Sequence, residues 1–261
     1  MHPNLIKHKF LAARPIINAW LSMPSGYAAE VVATQGFDSA TVDLQHGMIG
    51  FDMAVSMLQA ISATDATPLV RCLSLDPPAI MKLLDAGAYG VICPSIDTPA
   101  MARQLVAACR YPGGGIRSFG PARGLLYGGA DYFAHANETV LAIAMIESRE
   151  ALDHLDDIVS TPGLDGIYIG PNDLALSLGA APGGAVADIV EAEIARILES
   201  ACRHGRIAGI FCNDGAAARM RIEQGFHLVT PGNDANALAT ASLSRLQAAR
   251  GAQSAAIDGG Y

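Results

Sequence analysis

The chain has 261 residues, of which 51% are hydrophobic and 16% charged, and its net charge is −8. This composition excludes a disordered chain and leaves no excess of basic residues for nucleic-acid binding. The longest stretch without a charged side chain, residues 15–29, is too short to span a membrane. No apolar segment follows the basic residues at the amino terminus, and the five cysteines form no C-x-x-C pair. We therefore expect a cytoplasmic protein with reduced cysteines and no signal peptide.

A helix-like stretch that ends in glycine and is followed by a short apolar run recurs along the chain, as in AGAYGVICP at 86–94. Glycine commonly closes the carboxyl end of a helix, and a short apolar run is typical of a strand buried on both faces. In chain order, eight runs are predicted to be strands: IINAWLS (16–22), SATVDLQH (39–46), TPLVRC (67–72), GVICPSI (90–96), LAIAMIES (141–148), GIYIGPND (166–173), IAGIFC (207–212) and HLVTPG (227–232).

Helix starts are predicted between these strands. Asp76-Pro77 and Thr98-Pro99 each join a capping residue to a proline at the first helical position. Eight strand–helix alternations without a linker predict a single-domain (β/α)8 TIM barrel, an α/β fold, over residues 1–261, with a flexible tail from about residue 252. An open doubly wound sheet is the alternative, but SMPSGY at 22–27 lacks the G-x-G-x-x-G turn of that fold.

Two segments interrupt the alternation. Residues 111–137 are rich in glycine, proline and tyrosine, and a loop this long in a compact domain is usually functional or lies at an interface. A plain surface excursion is the alternative interpretation. Residues 179–187 are predicted to be a flexible connector before a helix at 188–204.

Ionisable residues gather at the carboxyl ends of the predicted strands, where (β/α)8 barrels place their active sites. Burying such charges along a barrel interior is costly unless they are paired or bind a metal. Solvated strand-end charges with a local ion pair are the alternative interpretation. The residues concerned are Asp43, His46, Arg71, Glu147 and Asp173.

Glu147 and Asp173 lie at the ends of neighbouring predicted strands. Two carboxylates that face one opening are the ligands that Mg²⁺ or Mn²⁺ takes, with water and substrate filling the other positions. No His or Cys pair has the spacing of a closed zinc site.

His46 is the one histidine at a predicted strand end with an acid nearby. Asp43 lies three residues earlier, so strand alternation puts the two side chains on opposite faces unless the chain turns at Gln45–Gly47. Asp85, late in the helix after the third strand, is a second acid that could act on His46, within the subunit or across an interface. Arg71 offers a fixed fork for a carboxylate or an enolate.

At this point several motifs, in this order along the chain, resemble the HpcH/HpaI aldolases, which are metal-dependent class II pyruvate aldolases related to 4-hydroxy-2-oxoheptanedioate aldolase and to 2-keto-3-deoxy sugar-acid aldolases. The resemblance runs from about residue 10 to about residue 245. It implies a (β/α)8 barrel and a homohexamer in which the last helix packs against a neighbouring subunit. The motifs are V-D-L-Q-H-G (42–47), V-R (70–71), L-L-D-A-G-A (83–88), R-Y-P-G-G-G-I-R (110–117), M-I-E-S-R-E-A-L (145–152) and I-G-P-N-D-L (169–174).

The resemblance also implies a role for each candidate residue. His46 is the acid/base histidine and Arg71 stabilises the enolate. Two acids, Asp43 and Asp85, support His46, and Glu147 and Asp173 are the metal ligands. The substrate-binding group consists of Arg71, Gly170, Pro171, Asn172 and Met145. In this group the backbone N–H of Asn172 meets the substrate carboxylate. Two positions depart from the family pattern, because many members have an acid at Gln45 and a glutamine at Met145. The methionine leaves the preference between pyruvate and hydroxypyruvate open.

The lysine count separates two aldolase chemistries. A Schiff-base aldolase needs a lysine at a strand end, whereas Lys7 and Lys9 precede the first strand and Lys82 falls in a predicted helix. The metal-dependent route remains, with Mg²⁺ or Mn²⁺ as the cofactor, Co²⁺ as a third candidate, and no organic cofactor. The expected partners are a 2-oxo acid, an aldehyde and further copies of the chain; residues 111–137, and with them a neighbouring subunit, are expected to border the aldehyde. An acyl-CoA lyase of the malyl- or citramalyl-CoA type and a non-catalytic 2-oxo-acid-binding barrel stay as alternatives.

Overall fold

The structure is a computed structural model that describes residues 1–183 and 186–251. Eight parallel strands pair in chain order and close into a barrel, because the last strand also pairs with the first. The predicted (β/α)8 barrel is confirmed, and the open sheet is excluded. The strands are β1 (Ile16–Leu21), β2 (Ser39–Asp43), β3 (Thr67–Arg71), β4 (Gly90–Cys93), β5 (Leu141–Ile146), β6 (Gly166–Ile169), β7 (Ile207–Cys212) and β8 (Leu228–Pro231).

Helices follow the strands and surround the barrel. The Thr98 side chain caps its helix by accepting a hydrogen bond from the Met101 N–H, as its position before a proline predicts. The helices are α1 (Leu5–Leu11), α2 (Gly26–Ala33), α3 (Phe51–Ser62), α4 (Pro77–Asp85), α5 (Pro99–Cys109), α6 (Ala122–Gly128), α7 (Tyr132–Thr139), α8 (Arg149–Asp153), α9 (Leu155–Val159), α10 (Pro171–Ser177), α11 (Asp188–Arg203), α12 (Gly215–Gln224) and α13 (Asp234–Ala249).

The strand residues alternate between the barrel interior and the layer under the helices. Trp20, Met145 and Tyr168 belong to the apolar cluster inside the barrel. Leu21 and Val70, each next to an inward-facing residue, belong to the larger cluster that packs against the helices. Burial on both faces explains why the strands appear in the sequence as continuous apolar runs.

Several strands end earlier than predicted, and the difference lies in the functional loops. The sixth predicted strand included residues 170–173, but β6 ends at Ile169 and Pro171 begins α10. Proline fits the first position of a helix and has no N–H to give to a strand, so Asn172 and Asp173 lie in the first helical turn.

Residues 111–137 do not form one loop, since they include α6 and most of α7. They connect the end of α5 to the start of β5, so they lie at the amino end of the barrel, opposite the active-site end. The prediction that this segment borders the acceptor pocket is therefore wrong within one chain. The predicted connector at 179–187 includes residues 184 and 185, and the predicted tail begins at residue 252. Both 184–185 and 252–261 lie outside the described residues.

A search of the described helices for an apolar stretch of membrane-spanning length finds none. All five cysteines are free thiols.

Candidate active site

A cavity of about 640 Å³ opens at the carboxyl ends of the barrel strands. Its volume lies in the range of small-molecule sites. The wall includes eight of the ten residues that the sequence singles out, and the other two, Glu147 and Asp85, stand apart from it. The predicted residues on the wall are Asp43, His46, Arg71, Met145, Gly170, Pro171, Asn172 and Asp173.

Asp43 and Arg71 form a buried, two-pronged ion pair at the ends of β2 and β3. The strand register places the two residues side by side. Arg71 Nε donates to Asp43 Oδ1 at 2.8 Å, and Arg71 Nη2 donates to Asp43 Oδ2 at 2.5 Å. This fork geometry fixes both side chains, and the Nη1 N–H groups remain for a ligand.

Trp20 at the end of β1 completes this arrangement. Its indole Nε1 donates to Asp43 Oδ2 at 3.1 Å, and the Arg71 guanidinium carbon lies 4.9 Å from the centre of the Trp20 rings. Trp20 also stacks on Tyr168, with ring centres 5.4 Å apart. The aromatic surface therefore supports the ion pair from the barrel interior.

The pKa of Asp43 reflects two opposing influences. Burial alone would raise it, but the hydrogen bonds and the charge of Arg71, together with hydrogen bonds from Trp20 and His46, lower it below its ordinary value. Asp43 is therefore ionised at neutral pH and acts as a fixed anion that holds Arg71.

His46 lies on an exposed part of the cavity wall. The chain bends after Asp43, and this bend allows Asp43 and His46 to contact each other. The contact uses the backbone, because the His46 N–H and the Gln45 N–H donate to Asp43 Oδ1 at 3.3 and 3.0 Å. Asp43 thus positions the loop that carries the imidazole.

Glu147 follows β5 and is buried behind the cavity wall, with 7% of its surface exposed. Its Oε1 accepts the Ser95 N–H at 2.8 Å. Ser95 has a left-handed backbone conformation, with φ of 54°, which is uncommon outside glycine and typical of functional loops. The other oxygen, Oε2, is buried and has no hydrogen-bond partner among the described residues.

Gly170 shows how close Glu147 Oε2 lies to the cavity. A Cβ atom on Gly170 would lie 2.6 Å from this oxygen and 3.2 Å from the Met145 methyl group, so only glycine fits. Burial raises the pKa of Glu147, the Ser95 N–H opposes the rise, and the charge of Asp173 adds to it. A buried carboxylate oxygen that has no hydrogen-bond donor and lies near a second acid is costly to leave unpaired, and a divalent cation would satisfy it.

Among the described residues, no group of three or more His, Cys, Asp or Glu side chains could hold a metal ion. Two carboxylates, Glu147 and exposed Asp173, would leave most coordination positions to water and substrate. This pattern fits Mg²⁺ or Mn²⁺ better than zinc, which takes three or four protein ligands.

Asp85 lies apart from the cavity. It ends α4, five residues before β4 begins at Gly90, and thus lies at the amino end of the barrel. Its Oδ1 accepts a hydrogen bond from Arg117 Nη2 at 2.8 Å. Burial raises the pKa of Asp85, and the hydrogen bond and charge of Arg117 oppose the rise. The structure does not bring Asp85 to His46 of the same chain.

The cavity has two chemically different halves. The charged half comes from β2, β3, β5 and β6 and consists of the eight predicted wall residues named above. The neutral half comes from the ends of β1, β7 and β8 and from α13, and it consists of Ser22, Met23, Pro24, Phe211, Asn213, Asn233, Ala235, Asn236 and Ala239.

Asp234 fixes the neutral half from behind. Its Oδ1 accepts both the N–H and the hydroxyl of Ser22, at 2.8 and 2.7 Å, and its Oδ2 accepts the Met23 N–H at 3.1 Å. These bonds attach the loop after β1 to the start of α13, so the two sides of the neutral half hold a fixed separation.

Sequence reasoning missed the neutral half, Trp20 and Ser95. A search restricted to ionisable strand-end residues does not detect an aromatic residue or an amide. Trp20, the one tryptophan, does lie near the end of a predicted strand, and the asparagines follow the seventh and eighth predicted strands. Polar uncharged residues at strand ends were therefore an available signal.

Comparison with known proteins agrees with this site. A profile of the HpcH/HpaI aldolase/citrate lyase family matches residues 17–241. A hydroxypyruvate/pyruvate aldolase of Rhizorhabdus wittichii is 43% identical over 251 residues, which cover 95% of this chain and 99% of that protein. A 5-keto-4-deoxy-D-glucarate aldolase of Escherichia coli is 34% identical over 89% of this chain and 91% of its own length.

A solved structure gives the same result. The HpcH/HpaI aldolase/citrate lyase family protein from Burkholderia cenocepacia superimposes with a TM-score of 0.88 at 34% identity, over 95% of this chain and 99% of its own. The chain therefore belongs to the HpcH/HpaI aldolase/citrate lyase family and is an aldolase, a carbon–carbon lyase.

Proposed function

We propose that the protein is a divalent-metal-dependent aldolase that forms or cleaves 4-hydroxy-2-oxo acids from pyruvate or hydroxypyruvate and an aldehyde. The observation that carries this proposal is the buried Oε2 of Glu147, which lacks a partner among the described residues and lies beside the cavity and Asp173. The names of the two relatives support the 2-oxo acid as substrate class.

Glu147 and Asp173 would hold the metal, for which we propose Mg²⁺ or Mn²⁺, with Co²⁺ as a third candidate and no organic cofactor. When bound, the metal supplies Lewis-acid polarisation of the 2-oxo acid. Glu147 would offer Oε2, because its Oε1 already accepts the Ser95 N–H.

The protein's own residues would then handle the charge and the proton. Arg71, held by Asp43 and Trp20, stabilises the negative charge that develops on the enolate oxygen. His46, exposed on the cavity wall, takes the proton from C3 in the addition direction and returns it in cleavage. Gly170, Pro171 and the backbone N–H of Asn172, with Met145, border the carboxylate end of the 2-oxo acid. With Arg71, these residues form the proposed substrate-binding group.

We propose further that Asp85 acts on His46 of a second copy of the chain. Asp85 lies at the amino end of its own barrel, and its side chain remains 24% exposed beside fully buried Arg117. A carboxylate bonded to an imidazole raises its basicity, which is the role that the family resemblance implies.

Exposed apolar side chains support an oligomer, which we propose to be a homohexamer. The segment between α5 and β5 lies at the same end of the barrel as Asp85 and has four apolar side chains that are at least half exposed: Ile116, Phe119, Leu126 and Phe133. Helix α13 buries Asp234 alone, and two of its three leucines, Leu238 and Leu246, are exposed. Contiguous exposed apolar surface usually marks an interface. We also propose that residues 1–261 act as one domain, and that the protein is cytoplasmic, in line with its free cysteines.

The experiment that tests the metal-dependent aldolase is hydrogen–deuterium exchange at C3 of pyruvate and hydroxypyruvate, followed by NMR. We expect exchange with Mg²⁺ or Mn²⁺, loss of exchange in EDTA, and recovery on adding the metal back. Glu147→Gln should abolish metal binding in calorimetry. Full exchange in EDTA, or a covalent pyruvate adduct after borohydride, would contradict the metal route. Cleavage of malyl-CoA without exchange of pyruvate would support the acyl-CoA lyase instead.

A complementation experiment tests the role of Asp85. Two weakly active variants, His46→Asn and Asp85→Asn, are co-expressed and purified as mixed oligomers. If Asp85 acts across subunits, some mixed sites regain both side chains and the activity exceeds that of either variant. Activity that equals the average of the two variants would exclude action between copies.

A further inference from the structure

The neutral half of the cavity carries no ionisable side chain among its nine residues. The side chains that line it are carboxamides, one hydroxyl and apolar groups. The charged half holds the carboxylate, imidazole and guanidinium groups of the cavity wall, namely those of Asp43, His46, Arg71 and Asp173. If the 2-oxo acid occupies the charged half, as the proposed function requires, the aldehyde meets it from the neutral half.

Among the described residues of this chain, the cavity wall offers no unpaired cation to a second carboxylate in the neutral half. The one arginine on the cavity wall, Arg71, is paired with Asp43 through both carboxylate oxygens. A carboxylate that leaves water without a cationic partner is strongly disfavoured.

The neutral half does suit hydroxyl groups. Carboxamides supply both donors and acceptors, and a hydroxyl can use either. The Ser22 hydroxyl donates to Asp234 at 2.7 Å, which leaves its oxygen able to accept. Met23 and Phe211 on the same wall offer apolar surface to the carbon atoms of a short chain.

We propose that the neutral half is the acceptor subsite and that it selects an uncharged, hydroxyl-bearing aldehyde over an aldehyde of equal length that ends in a carboxylate. This inference rests on the proposed function. In the addition, a bond forms between C3 of the 2-oxo acid and the aldehyde carbon. C3 loses one proton and the aldehyde oxygen gains one, so the reaction needs no oxidant or reductant.

The test compares two aldehydes that differ at one end only. Glyceraldehyde ends in a hydroxymethyl group, and tartronate semialdehyde has a carboxylate at the same position. Aldol addition is measured with the Mg²⁺- or Mn²⁺-loaded enzyme and pyruvate as donor. We expect kcat/KM to favour glyceraldehyde by about 30-fold or more, because the carboxylate has no partner. Equal values, or a preference for the acid, would overturn the proposal.

A charge-introducing variant with a matched control locates the selectivity. Asn236→Lys puts a cation into the neutral half, and Asn236→Gln changes length without charge. The lysine variant should lower the glyceraldehyde preference by about tenfold, mainly through a lower KM for the acid, while the glutamine variant keeps the wild-type ratio. An unchanged ratio in the lysine variant would overturn the assignment of this half. Because the ratio is taken on one enzyme, a general loss of activity cancels.

Exchange at C3 of pyruvate, recorded on the same samples, distinguishes a failure of the acceptor proposal from a failure of the proposed function. Exchange with the wrong aldehyde preference would refute the acceptor proposal and leave the aldolase standing. Absence of both exchange and addition would refute the proposed function and, with it, the acceptor proposal.

Discussion

The two ends of the barrel each hold a buried arginine–aspartate pair over aromatic rings, but the pairs face in opposite senses. At the carboxyl end, the Asp43 side chain is 2% exposed and Arg71 lines the cavity at 9%. At the amino end, Arg117 is fully buried and Asp85 is 24% exposed. One end therefore presents a cation to its surroundings, and the other end presents an anion.

The contacts of each aspartate explain the difference. Both oxygens of Asp43 accept hydrogen bonds, from Arg71, Trp20 and two backbone N–H groups. Asp85 accepts one hydrogen bond, from Arg117. Asp43 thus uses both oxygens to position Arg71 and the loop of His46, whereas Asp85 can still accept a hydrogen bond from another partner. The same pair of residue types serves opposite purposes because burial and hydrogen-bond number differ.

The largest expected effect comes from Asp43→Asn. The asparagine NH2 group would replace a carboxylate oxygen that now accepts hydrogen bonds, so two donors would meet. Arg71 would also lose its counter-charge. We expect a loss of about 3 kcal/mol in the free energy of unfolding, measured from urea unfolding at one protein concentration, and a fall in activity of at least about 10²-fold. The matched variant Asp85→Asn should lower the unfolding free energy by less than Asp43→Asn, because Asp85 is 24% exposed and accepts one hydrogen bond where Asp43 is buried and accepts several. Equal losses would refute the contrast between the two pairs.

A smaller effect is expected from Arg117→Met at the amino end. The guanidinium lies 4.5 and 5.5 Å from the ring centres of Tyr111 and Tyr132, and Nη1 donates to the Tyr132 hydroxyl at 3.0 Å. Methionine keeps part of the volume, and Asp85 stays accessible to water. We expect a loss of about 2 kcal/mol, seen as a lower urea midpoint. A loss above that of Asp43→Asn would reverse our ranking of the two ends.

The smallest effect is the pH dependence, which should have opposite signs at the two ends. The pKa of Asp43 is lowered on folding, so its stabilisation is present above its ordinary pKa and is lost as the pH falls through the lowered value. The pKa of Asp85 is raised on folding, so its favourable contribution is present at low pH and is lost as the pH rises through the raised value.

Urea unfolding of the wild type and of the two asparagine variants between about pH 3 and pH 7 checks these signs. The stability gap between the wild type and Asp43→Asn should shrink as the pH falls. Asp85→Asn should gain on the wild type as the pH rises. Parallel curves for both variants would show that the two aspartates do not differ in their folded environment.

Much of the fold could be predicted because its signals are local. Glycines after helices and short apolar runs mark strand–helix units, and eight such units in a row leave few architectures. The position of Asp85 and of residues 111–137 also follows from the barrel, since a segment between a helix and the next strand lies at the amino end. Because of this placement, residues 111–137 do not border the cavity of their own chain, contrary to expectation.

The site was predictable where it depends on charge. Asp43, His46, Arg71 and Asp173 stand out because ionisable side chains at the ends of apolar strands are expensive to bury. Trp20 and the asparagines of the neutral half do not stand out, because neutral side chains at strand ends are common and carry no such cost.

The sequence by itself determined the barrel, the end at which ionisable side chains gather and the acidic pair Glu147 and Asp173 that we propose as metal ligands, because strand patterning and desolvation cost act on each residue locally. Only the tertiary structure decided that Asp43 binds Arg71 through both oxygens. It also decided that the Ser95 N–H donates to one oxygen of Glu147 while the other lies beside Gly170, and that half of the cavity is uncharged. These depend on the stagger between strands and on loops distant in the chain, which local sequence does not specify.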